Sequence, residues 1–203
     1  HKAFHQTVKG NAYLEEIPTD LPDEHPMRFE DTTALGVIAQ DLIPQESGLQ
    51  ILYRWQPFID FIAGVIGRGP LFPYACPLGG INLAVMNEGD HLRWHFDVSD
   101  FVVSVNLQDP QAGGKFEFVR NIRSPEDPRY EAVSALLKGS REKVEILDNP
   151  PGCLVLFEGR HTIHRVTQIE GHQSRLIALF GYGLTPNMTS SDYLRQIRYG
   201  RTL

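Results

Sequence analysis

His95-Phe96-Asp97 sets an imidazole and a carboxylate two residues apart. On an extended strand, residues i and i+2 point to the same side, so His95 and Asp97 can meet at one point while Phe96 turns away. His164, far along the chain, offers a second imidazole. Two histidines and one carboxylate form the facial ligand set of non-haem Fe(II) chemistry, which leaves further coordination positions open. Arg175 lies eleven positions beyond His164 (175 minus 164) and stands near the head of Ser174–Tyr182, otherwise an apolar strand. A charge turned inward there needs a partner, and a guanidinium fork suits a carboxylate held by two hydrogen bonds. Taken singly, each residue has an ordinary reading: a chance triplet, a structural histidine, a solvated arginine at a strand end. The four in this order are far more specific.

Other polar residues lie close to these. Asn82 shares a strand face with Ala84 and Met86 and is a candidate co-substrate contact, although a hydrogen-bonded structural amide accounts for it equally well. Arg93 has the strand parity of His95, and Trp94 flanks the triplet; both are candidate substrate contacts. His161 falls in the approach to His164 and is a third. His91 and His95 have the i, i+4 spacing of a helical zinc site, but Leu92 stands where that motif needs Glu, and Gly89-Asp90 argues for a turn into a strand. His172 follows Gly171 in a hairpin turn and reads as solvated.

The elements that must position these groups are mostly strands. Ile81–Asn87 is short and apolar and ends in the turn Glu88-Gly89-Asp90. Phe101, Val103, Val105 and Leu107 alternate with their neighbours, the period of a strand. Phe116–Phe118, Val144–Leu147, Cys153–Phe157, Ile163–Ile169 and Leu176–Tyr182 follow, giving about eight short strands between turns. Ser47–Trp55 and Phe58–Gly67 read as short amphipathic helices, the second with Pro57 before it and Gly67 at its end. Tyr130–Lys138, closed by Gly139, is a third helix. The first thirty residues, with Pro18, Pro22 and Pro26, read as an exposed, partly irregular arm. Arg195, Arg198 and Arg201 read as a solvated tail or a lid. The expectation is one domain over 1–203: arm and helical support over 1–80, a β core over 81–184 and a tail over 185–203.

The charge balance, 19 basic against 25 acidic residues, gives a net charge of -6. Such a chain is a poor general binder of nucleic acid or of an anionic membrane. Phe58–Ile66 is broken by Asp60 and is too short to span a bilayer. Two cysteines, Cys76 and Cys153, make neither a disulfide framework nor a cysteine zinc site, which leaves the cytoplasm as the expected compartment and a monomer or homodimer as the expected state.

The H-x-D triplet, the strand-rich stretch, the second histidine and the arginine about ten residues on resemble the Fe(II)/2-oxoglutarate-dependent dioxygenases. The resemblance implies a double-stranded β-helix, a jelly-roll barrel, here with an N-terminal helical layer. It implies Fe(II) on His95, Asp97 and His164, 2-oxoglutarate on Arg175, and O2 as co-substrate. A narrower resemblance lies in Trp94–Ser104, Gly113–Arg123 and Leu156–Thr167, which look like the radical halogenases acting on free amino acids, lysine among them, and their hydroxylase relatives. Those halogenases carry Gly where the triplet has its carboxylate, which frees an iron position for halide. This chain carries Asp97, so the resemblance implies hydroxylation of a small free amino acid, lysine-like first. Alternatives are a same-fold oxygenase acting on another small molecule or a peptide, and a non-catalytic jelly-roll binding module.

Overall fold

The computed structural model describes residues 3–203. Its strands are β1 (Phe4–Gly10), β2 (Asp31–Ala39), β3 (Phe72–Pro73), β4 (Ile81–Met86), β5 (Leu92–His95), β6 (Val102–Gln108), β7 (Ala112–Gly113), β8 (Phe116–Val119), β9 (Glu145–Leu147), β10 (Leu154–Phe157), β11 (Ile163–Val166), β12 (Ile169–Glu170), β13 (Arg175–Phe180) and β14 (Tyr182–Gly183). The helices are α1 (Gly48–Arg54), α2 (Gln56–Ile66), α3 (Tyr130–Leu137) and α4 (Asp192–Tyr199). One sheet runs β1-β2-β4-β13-β6-β10 and a second β5-β11-β8-β9. Every pairing is antiparallel. From β4 onward the chain crosses repeatedly from one sheet to the other, which is the winding of a jelly roll. Met86 of β4, Leu92 of β5, Phe116 of β8 and Val166 of β11 pack into one cluster, so the two sheets close on each other.

The larger sheet is apolar on both sides, and alternation divides its residues. Ile81, Val103, Ala178 and Phe180 pack with Tyr53, Ile59 and Ile62 of α1 and α2. Arg175 and Ile177, of opposite parity on β13, therefore face the barrel interior. The two helices start and stop where the chain favours it. Ser47 caps α1 by accepting from the Gln50 N–H, and α2 has Pro57 in its first turn and ends at Gly67 in the left-handed conformation. Tyr53 pins this layer to the barrel, donating to the Gly181 carbonyl and accepting from the Tyr74 N–H, both at 2.8 Å.

The first thirty residues are regular only in part: β1 forms an edge strand, while 11–30 hold turns and one short 3-10 helix. β1 pairs with β2 over Phe4–Gly10, β2 pairs with β4, and Asn11, Ala12 and Tyr13 are buried. Polar side chains hid β1, because an edge strand with one solvated face needs few apolar residues. The segment 185–203 is not simply a tail either: α4 docks through buried Tyr199 against Val37, Ala39, Cys76 and Leu78, and Arg201 pairs with Asp41 at 2.7 Å. No helix of the described residues is long and apolar enough to cross a membrane.

Ile62 is fully buried between α2 and the sheet. Ile62→Ala removes that packing and leaves a cavity, so urea denaturation should show a loss of about 2–5 kcal/mol.

Candidate metal centre

The centre is built on one cross-strand pair. β11 lies beside β5 with His164 directly opposite His95, and the two rings sit 4.2 Å apart, centre to centre. Each ring is held by its Nδ1 near a backbone carbonyl, His95 to Arg93 at 2.9 Å and His164 to Thr162 at 3.0 Å. A carbonyl oxygen only accepts, so Nδ1 carries the proton in both rings and Nε2 presents its lone pair. Both Nε2 atoms face Asp97, at 3.8 Å from Oδ1 for His95 and 3.5 Å from Oδ2 for His164. One ligand atom from each of the three lies within 4.8 Å of the others.

Asp97 Oδ2 is buried and has no hydrogen-bond partner. Such an oxygen is costly to leave unanswered, and the neutral His95 imidazole beside it offers a lone pair rather than a proton. A divalent cation between the three groups answers all of them at once, so the donor set fits Fe(II). Burial, with His164 alongside, pushes the His95 imidazole down to about 4, so that ring is neutral and ready to ligate at neutral pH.

Gly159 explains how the carboxylate comes so close to the loop between β10 and β11. Its carbonyl accepts from the Asp97 N–H at 3.0 Å, and a methyl group on Gly159 would overlap the Asp97 carboxylate. Phe116 and Phe157 wall the His164 ring at 5.4 and 4.9 Å. The sequence reading missed Gly159 as part of the site; its place two residues beyond the strand that ends at Phe157 was the available signal.

Arg175 is buried inside the barrel at 6% exposure. Its guanidinium approaches Met86 Sδ at 3.8 Å, and among the described residues no carboxylate lies within ion-pair distance. Burial lowers it to about 10, against the pull of Asp109, so it remains charged. Gly114, at positive φ, leaves room for the arginine stem: a side chain there would press on Arg175 Cδ and Ile169. A buried, unanswered cation is a receptor for an anion.

Three candidates are not brought to this centre. Arg93 and Trp94 lie on a β-bulge: β11 advances two residues between its pairs with His95 and Leu92 while β5 advances three. The bulge breaks the parity that linked Arg93 to His95. The Arg93 guanidinium turns to the carbonyls of Asn11 and Val8, and Trp94 packs outside the sheet with Ala12 and Val133. Asn82 has the expected parity, but its amide is engaged, donating to Gly79 at 3.2 Å and accepting from the Tyr199 hydroxyl. His161 stays in the loop beside Gly159, partly exposed. His91 is held by Thr32 at 3.0 Å in an isolated bridge to Ala34 just before β5, not on a helix, and the His172 side chain is almost fully exposed.

Comparison with known proteins agrees with this geometry. The family model for HalD, Halogenase D, matches residues 26–195. The chain belongs to the halogenase D family. An oxidoreductase of the 2OG-Fe(II) oxygenase family from Burkholderia pseudomallei is similar in structure, with a TM-score of 0.52 at 14% identity over 89% of this chain and 73% of that one. AviO1 from Streptomyces viridochromogenes Tue57 has a TM-score of 0.56 at 15% identity, over 91% and 78% respectively. At these identities the likeness is one of fold. No curated protein matches the chain in sequence. Family, fold and the His-Asp-His cluster place this halogenase D family member among the Fe(II)/2-oxoglutarate oxygenases, enzymes that use Fe(II), 2-oxoglutarate and O2.

Two expectations follow from the geometry. His95→Ala or His164→Ala should abolish metal uptake, read by titrating the metal-free protein with Co(II) and following its ligand-field absorption; full uptake by either variant would refute the ligand assignment. In the metal-free protein the folded value of His95 lies below the ordinary 6.5. Protonation therefore favours the unfolded chain: stability is complete above about 6.5 and this contribution is lost as pH falls through about 4. The urea midpoint should be lower at pH 5 than at pH 7, and His95→Gln should flatten that difference.

Proposed function

We propose that this protein hydroxylates an unactivated C–H bond of a small free amino acid, lysine-like first, consuming 2-oxoglutarate and O2 and releasing succinate and CO2. The observation that carries hydroxylation is Asp97: a carboxylate with one buried, unpartnered oxygen stands between the two histidine lone pairs. In the halogenases that the sequence resembles, Gly at this place leaves room for halide. Here the carboxylate takes the position.

When bound, iron and 2-oxoglutarate supply the activation of O2 and the transfer of one oxygen to carbon. The chain itself orients and secludes. His95 and His164 hold their Nε2 lone pairs in a fixed direction through the Arg93 and Thr162 carbonyls. Asp97 supplies the single negative charge. Arg175 grips the distal carboxylate of 2-oxoglutarate by a charge-assisted fork, which needs a desolvated guanidinium with free N–H groups. Phe116 and Phe157 keep water off the His164 side. His161, in the loop beside Gly159, is the remaining candidate for a substrate contact.

The amino-acid substrate rests on family membership and resemblance. Glu88, Asp90 and Asp100 are the acidic residues that could favour a cationic side chain, and their neighbours limit that effect. Asp90 is buried against His5 at 2.7 Å, Asp100 pairs with Arg68 and Arg160, and Glu88 lies 3.4 Å from His172. Asp100 is answered by two arginines and Asp90 is buried, so of the three only Glu88 offers exposed negative charge to a cationic substrate side chain.

Succinate release should be measured with Fe(II) and a panel of free amino acids, and products read by mass for the gain of one oxygen. Turnover of a peptide or nucleoside and of no free amino acid would overturn the substrate class. Asp97→Gly should lose most hydroxylation; chlorination of substrate by the wild type in chloride buffer would overturn the role given to Asp97. Arg175→Ala should raise the apparent constant for 2-oxoglutarate at least about 30-fold, the size of a lost buried charge pair. An unchanged 2-oxoglutarate dependence would remove Arg175 from that role.

A further inference from the structure

Asp97 lies two residues past β5, outside the ladder that fixes His95 and His164. Its place is set by what holds the loop beneath it. Arg123, in the loop that follows β8, reaches that loop directly. Its Nε and Nη2 both donate to the Arg160 carbonyl, at 2.9 and 2.7 Å. Arg160 is the neighbour of Gly159, whose carbonyl takes the Asp97 N–H and whose missing side chain makes room for the Asp97 carboxylate. The same guanidinium lies 3.7 Å from the ring centre of Phe96, the middle residue of the triplet, which is buried at 1% exposure. Arg123 thus holds both sides of Asp97: the preceding residue by its ring, the facing loop by a carbonyl. On the outer side, Arg160 itself donates to the Val98 carbonyl and pairs with Asp100 at 2.7 Å; these contacts are exposed, as are the Arg123 bonds to the Arg160 carbonyl, while the Phe96 ring under the guanidinium is buried.

We propose that Arg123 is a positioning residue for the third metal ligand: it clamps Phe96 and the 158–160 loop together so that the Asp97 carboxylate stays in reach of both histidines. This rests on the reading of His95, Asp97 and His164 as the metal centre. A planar guanidinium is suited to the task, because it can stack on a ring and fork onto one carbonyl in a single pose, which an ammonium cannot. Partners that orient metal ligands typically contribute 10- to 100-fold in metal affinity.

The test is a double-mutant cycle with Co(II) as the probe, titrated into the metal-free protein and read by ligand-field absorption. Arg123→Gln should weaken Co(II) about 10- to 100-fold when Asp97 is present. In the Asp97→Asn background the same substitution should add little, because the carboxylate it positions is gone. Arg123→Lys, which keeps the charge and one hydrogen bond, should fall between, and serves also if the glutamine variant folds poorly. An equal loss in both backgrounds would make Arg123 a general support of the fold and overturn the proposal, as would no loss in either. The reading beneath is judged separately: a wild-type protein that takes up no Co(II), or uptake indifferent to His95 and His164, would overturn the metal centre itself.

Discussion

Three groups that want a cation, brought together with none of their own to share, do not assemble by mutual attraction. Asp97 could pair with a protonated imidazole, but burial keeps His95 neutral, and the two rings turn lone pairs toward the carboxylate. The arrangement must therefore be held by the frame. The β5–β11 register puts His164 opposite His95, and the backbone carbonyls of Arg93 and Thr162 set their tautomers. Gly159 lets the loop close under Asp97. This smaller sheet is thus under strict demand: a slip of one residue would turn either histidine to the opposite face.

The second demand comes from the other sheet and has the opposite sign. Arg175 is carried into the barrel by β13, whose alternate residues pack on α1 and α2. Those helices do not touch the chemistry, yet they decide which face of β13 points inward. Asp97 lacks a cation and Arg175 lacks an anion. A metal ion together with a dicarboxylate that chelates it and reaches the guanidinium would satisfy both, and the barrel gives such a pair two walls. The stabilisation that these buried charges withhold from the empty protein is returned on binding, so ligands should tighten the fold as well as start the chemistry.

What could be read from the residues alone follows from how regular each segment is. The core strands announced themselves because alternation or apolar runs fix which side is buried, and the late histidine lies in such a strand; of the triplet only His95 lies in a strand, and Asp97 falls beyond its end. Parity failed at Arg93 because a bulge inserts one residue, and nothing in Leu92-Arg93-Trp94-His95 marks that step. Asn82 pointed the expected way but was spoken for by Tyr199, a contact across 117 positions that no local pattern carries. β1 was hidden by its polar outer face. Gly159 was visible only as one glycine among 18, since its use depends on a carboxylate 62 positions earlier (159 minus 97).

Membership of a family described by halogenation and a ligand set that argues for hydroxylation are compatible once the reaction is traced to one coordination position. On the proposed reading the two histidines and the buried arginine would serve either outcome, since both would use the same iron and the same co-substrate. What separates them is whether the third protein ligand is a carboxylate or a vacancy that halide can fill. Asp97 also brings demands of its own that a glycine would not: a loop without a side chain beneath it at Gly159, and a guanidinium braced on Phe96 and Arg160 beside it. A chain that had merely acquired a carboxylate at this place would have no reason to accommodate it so closely. The surroundings of Asp97 fit the proposed role of a ligand, and that is the physical ground for proposing that the centre leaves oxygen, not halide, to meet the substrate.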